Sequence, residues 1–169
     1  MKNRIIIFTV FVLIFSYSCS LDGGLIIGPS GGYVFYDKGN YDDDWRYLET
    51  PPKEESEKFK LSGSIGETIN FSEILTRLND FSYGGNKGWR LPTYEEFVVM
   101  AQHNGTYLNS LLDIDEKTFY VVSENRVYSG KSEKYINSSG DEATRLIFIQ
   151  GSGRFEDDCK YFYHPVRGF

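Results

Sequence analysis

Two cations and an unbroken apolar run open the chain: Met1-Lys2-Asn3-Arg4, then Ile5 to Phe15, then Ser16-Tyr17-Ser18-Cys19. A basic stretch, a short apolar stretch and a small residue before the cut make a secretory signal, and the run is too short to cross a hydrocarbon layer of ~30 Å. Cleavage before Cys19 takes one of the two cysteines to the new terminus and leaves Cys159 without an intramolecular partner. The remaining chain, about 150 residues, must therefore fold on an apolar core without a disulfide, which a domain of that length can do.

Cys19 directly after Ser18 resembles the acylation site of bacterial lipoproteins, with Ser16 where the common motif carries Leu. The resemblance implies lipidation at Cys19 and a stable hold on a membrane of the bacterial cell envelope. The other reading is an ordinary signal with an incidental cysteine. The expected organisation is a signal over 1–18, an acylated Cys19 and short Gly-rich tether over 19–27, and one domain over 28–169.

Charge narrows the partners. Loss of Lys2 and Arg4 takes the net charge from −6 to −8. An acidic chain argues against nucleic acid, whose phosphates need a basic face, and against a polybasic grip on anionic lipid.

The pattern along the domain predicts an α+β fold. Tyr33–Tyr36 and Trp45–Glu49 read as a hairpin, the second strand by its alternation of apolar and polar residues. Lys53 to Ser62 is charged and reads as an exposed loop. Phe71, Ile74, Leu75 and Leu78 fall on one face of a helix. A second helix follows Leu91-Pro92, with Thr93 as N-cap and Glu96 completing a capping box; Phe97, Met100 and Ala101 face the core, and Asn104-Gly105 ends it. Thr118–Val122, Arg145–Ile149 and Lys160–Tyr163 read as strands, the last either an edge or kinked by Pro165.

Three segments carry a further resemblance: residues 28–41 followed by Trp45-Arg46-Tyr47-Leu48-Glu49, then Gly88-Trp89-Arg90-Leu91-Pro92-Thr93 with Glu96, then Val166-Arg167-Gly168-Phe169. Together they resemble an exported bacterial domain found at the carboxyl end of a collagen-like adhesin. That domain is similar in fold to the formylglycine-generating-enzyme type of C-type lectin domain. The resemblance implies a C-type-lectin-like fold: a twisted antiparallel sheet, paired amino and carboxyl strands, two helices and long loops. Trp89, Arg90, Leu91, Pro92, Thr93, Glu96 and Arg167 are then structural signatures. Relatives carry a Tyr-Trp-Ser-Ser-like strand where this chain has Tyr120-Val121-Val122-Ser123.

Enzyme chemistry finds little footing in the residues. The enzyme relatives use a cysteine pair, which this chain does not supply. Cys159 stands beside Asp157 and Asp158, anions that raise a thiol pKa. His103 and His164 belong to no triad or HExxH spacing, and no P-loop or dinucleotide fingerprint occurs. No cofactor and no metal are expected. The acidic turn from Asp37 to Asp44 has oxygens enough for calcium, yet lacks EF-hand spacing and reads as a solvated turn. With 13 Tyr and 13 Phe, the chain carries more aromatics than its core needs, which leaves rings for a glycan or protein ligand. The expectation is a non-catalytic binding or adhesion module. The competing reading is a periplasm-facing structural or assembly lipoprotein.

Overall fold

A computed structural model describes residues 26–41, 44–102, 112 and 115–169. The expected signal, Cys19, His103 and the Asn104-Gly105 helix stop lie outside the described residues.

The α+β expectation holds, with two sheets rather than one. β1 (Tyr33–Asp37), β2 (Tyr47–Thr50) and β8 (Arg167–Gly168) form a small antiparallel sheet in the order β1-β2-β8. β1 bulges at Phe35, which turns that ring into the core. β3 (Lys60–Leu61), β4 (Thr118–Val122), β5 (Arg126–Ile136), β6 (Glu142–Gln150) and β7 (Lys160–Phe162) form the larger sheet, in the order β3-β7-β4-β5-β6. This sheet is mixed, not antiparallel throughout: β4 and β7 run parallel, with the whole β5–β6 hairpin between them in sequence. The amino-end hairpin meets the carboxyl end through β2, with Leu48 opposite Gly168 and Glu49 opposite Arg167. Ile26, in the expected tether, already accepts the Val34 amide at 2.9 Å.

Every residue of β4 is buried, because the larger sheet is covered on both sides. Tyr120 and Val122 face one cluster, with Phe35, Leu48, Phe97, Met100, Phe162 and Val166. Phe119 and Val121 face the other, with Phe59, Ile74, Leu78, Leu91, Val127 and Tyr161. Helix α1 (Phe71–Asp80) and helix α2 (Tyr94–Gln102) thus pack on opposite faces of this sheet. Burial of a ring such as Phe97 is worth ~2–3 kcal/mol, and this two-sided core is the main cohesive force.

Four local expectations are corrected. Leu75 is 49% exposed, so the buried face of α1 is carried by Ile74 and Leu78 with Phe71 at its margin. Lys53–Phe59 is a 3-10 helix rather than a loop, anchored by Phe59, which is 1% exposed. β7 is not an edge: β3 and β4 flank it, and Pro165 lies past its end in the link to β8. The long strand β5 is an addition to the strands expected in the last third.

Candidate functional site

The first and last of the segments that carried the resemblance meet at one buried carboxylate, Glu49. Leu48, Glu49 and Thr50 are all fully buried, because the loop over residues 28–32 covers the face of β2 that alternation would leave to solvent. The Ser30 hydroxyl donates to Glu49 Oε1 at 2.6 Å and the Ser30 amide to Oε2 at 3.2 Å. Arg167 Nη1 donates to Oε1 at 2.8 Å, and Arg167 Nε donates to the Lys87 carbonyl at 3.0 Å.

The glycines of this region are set by proximity. A Cβ on Gly28 would lie 2.2 Å from Glu49 Oε2, and one on Gly84 would lie 1.9 Å from the Ser30 carbonyl. Both Glu49 oxygens are engaged and the group is sealed from water, so it closes the fold rather than serving chemistry.

The second signature is a helix start. Thr93 Oγ1 accepts the Glu96 amide at 3.2 Å, and Glu96 Oε2 accepts the Thr93 amide at 2.8 Å, completing the capping box. Arg90 grips Glu96 through two bonds of 2.7 Å. The Arg90 and Val166 backbones also exchange hydrogen bonds of 2.9 and 2.8 Å, which ties this segment to the approach to β8. The Pro92 carbonyl accepts the Ser123 amide, while Trp89 and Leu91 are buried. The seven residues fall in two linked clusters, at the capping box and at Glu49. Glu49 itself was missed from sequence; the small residues Gly-Pro-Ser-Gly-Gly opposite it were the available signal.

The candidates for chemistry are placed as follows. Cys159 is half-buried, and its thiol is pushed up first by burial and then by Glu156; Asp158 contributes least and Lys117 opposes. That favours the unreactive thiol. His164 is fully buried, neither ring nitrogen makes a hydrogen bond of good geometry, and the ring stands edge to face with Phe59, centroids 6.0 Å apart. Desolvation lowers its pKa to about 4, with the Pro51 backbone opposing, which favours the neutral ring. Asp37 is committed to Arg46 through bonds of 2.8 and 2.9 Å, and to the Gly39 amide. Among the described residues no group of three potential metal ligands gathers; Asp42 and Asp43 lie outside them.

A groove of about 380 Å³ lies beside β3 and β7. Phe155 lines it, packed edge to face at 5.1 Å on the buried ring of Tyr161. The Tyr161 hydroxyl is fixed between the Arg154 carbonyl, to which it donates, and the Glu156 amide, from which it accepts. Gly63 lets Phe155 close in, since a Cβ there would lie 2.2 Å from the ring. Ile65 lines the groove and is 72% exposed, while Lys60, Lys160, Glu156 and Asp158 bring charges of both signs. The volume falls in the range of small-ligand sites, roughly 300–1,000 Å³.

Compared with family models, curated proteins and solved structures, the chain finds no match.

Proposed function

We propose that this chain is a lipoprotein of the bacterial envelope, held by lipid on Cys19, whose domain binds a glycan or protein ligand without transforming it. The observation that carries the reading is the groove beside β3 and β7. It offers the half-buried Phe155 ring, the exposed Ile65 and charges of both signs, a combination that suits sugar rings and peptide side chains alike. Burial and Glu156 raise the pKa of the Cys159 thiol that lines it, which disfavours the nucleophilic thiolate.

A C-type-lectin-like fold is part of the proposal. The joining of the amino-end hairpin to the carboxyl-end strand through Glu49 and Arg167 supports it, as do two helices packed on a sheet. Meeting of the three motif segments in space is further support.

The test is a screen of the full-length lipoprotein, reconstituted in lipid discs, against glycan and envelope- or matrix-protein arrays. A ligand bound by the wild type and weakened about tenfold or more by Ile65→Asp places binding in the groove, since tenfold corresponds to ~1.4 kcal/mol. A blank screen on protein shown to be folded defeats the binding reading.

A further inference from the structure

The nine residues of β6, Glu142–Gln150, form an outer edge of the larger sheet, and no described element pairs with their far side. The ladder to β5 runs from Tyr128 opposite Gln150 to Ile136 opposite Glu142 without a register shift. Its phase follows from one bond. The Gly151 amide donates to the Val127 carbonyl at 2.9 Å, so Gly151 and every second residue before it bond inward to β5. Thr144, Leu146, Phe148 and Gln150 then direct their amides and carbonyls outward.

Exposed edges are usually blunted by charge, proline or a bulge. The run Leu146-Ile147-Phe148-Ile149 carries none of these. Leu146 and Phe148 pack toward the core that holds Phe97 and Tyr128, and Ile149 on the other face is 37% exposed.

We propose that β6 is a self-association edge at which two copies of the chain pair antiparallel about a two-fold axis at Ile147, making one sheet of ten strands. In this register Leu146 of one copy meets Phe148 of the other as a hydrogen-bonded pair, and Thr144 meets Gln150 in the same way. Ile147 faces Ile147, and Arg145 faces Ile149. The apolar run covers itself and no like charges oppose. Arg145 keeps its bonds to Glu133, the shorter at 2.6 Å, and its place over the Tyr135 ring. Moving the axis to Arg145 would set two guanidinium groups against each other, which costs stability in a cross-strand pair. The sheet's other edge, β3, is only two residues long, so the assembly closes at two copies instead of propagating.

The test is disulfide trapping of the full chain in its native envelope, with Cys159→Ser as background. Facing residues of a non-hydrogen-bonded pair bring their Cβ atoms within about 4.5–5.5 Å, so Ile147→Cys oxidises to a covalent dimer. Ile149→Cys does not, because its own copy in the partner lies about 14 Å away along the strand. Maleimide labelling establishes that both thiols are accessible, and protease resistance that both variants fold. Trapping at 147 with none at 149 supports the pairing. Absence of a dimer from an accessible thiol at 147, equal trapping at both positions, or trapping of 147 to a different protein each overturns it.

Discussion

Arg167 and Glu49 sit opposite each other across β8 and β2, 2.8 Å apart, with the carboxylate wholly buried and the guanidinium 19% exposed at its side chain. The pair joins segments 118 residues apart in the chain. Ser30 supplies the remaining hydrogen bonds, so a buried charge that would otherwise be costly is matched on both oxygens.

Removing one partner is therefore expected to cost more than removing both. Arg167→Met leaves Glu49 buried and uncompensated and should lower unfolding free energy by about 3–5 kcal/mol. Glu49→Gln combined with Arg167→Met should recover part of that loss. Urea denaturation of the two variants beside the wild type decides, and equal loss in both would show that the pair carries no coupling.

Gly84 and Gly85 both have positive φ, +58 and +76 degrees, but only Gly84 is crowded. Gly85→Ala should cost about 1–2 kcal/mol, the price of a left-handed residue. Gly84→Ala must also push a Cβ from 1.9 Å of the Ser30 carbonyl and should be markedly worse. Melting temperatures of the two variants separate dihedral strain from close approach.

The capping box at α2 gives a graded expectation. Thr93→Ala should cost about 1 kcal/mol, the usual value of an N-cap. Glu96→Ala should cost more, because it removes the bond to the Thr93 amide and both bonds to Arg90. Chemical denaturation ranks them, and a larger effect at Thr93 would contradict this assignment of roles.

His164 sets a pH dependence. Its pKa falls from 6.5 to about 4 on folding, so the unfolded chain binds the proton first as pH drops. Stability is thus full above about pH 6.5 and is lost as pH falls toward 4, by about 3 kcal/mol at 1.36 kcal/mol per unit. His164→Phe removes this component. The difference between wild type and variant, measured from pH 4 to 7, should slope across that interval; parallel profiles would exclude His164 as the source.

Helix α2 was legible in the sequence because its start is local, with Thr93 and Glu96 satisfying each other within one turn. α1 was legible by period, yet Leu75 shows that membership of an apolar face does not ensure cover. Glu49 was not legible. As the last residue of an alternating strand it reads as solvent-facing, and only the return of the 28–32 loop and of Arg167 buries it. β5 escaped for a different reason. Val127 and Tyr128 lie in the sheet, while most residues from Lys131 to Ile136 are exposed on a ribbon paired only with β6, so neither half shows a sustained alternation. The groove was not legible, because its walls come from segments flanking Gly63 and Phe155, nearly a hundred residues apart. The charged run before Phe59 disguised a buried ring.

The parallel contact of β4 with β7 bears on how the chain acquires its shape as it is made. β7 lies between β3 and β4, and β8 completes the smaller sheet, so residues 160–168 are needed by both sheets. Synthesis proceeds from the amino end, and neither sheet can close while those residues are still being joined. Until then β2 lacks the partner for Glu49, and β3 has nothing to pair with. Folding is consequently a late, nearly single event with distant contacts, the kind that topology makes slow. A nascent chain halted before residue 160 should be digested throughout by protease, leaving no resistant amino-terminal fragment.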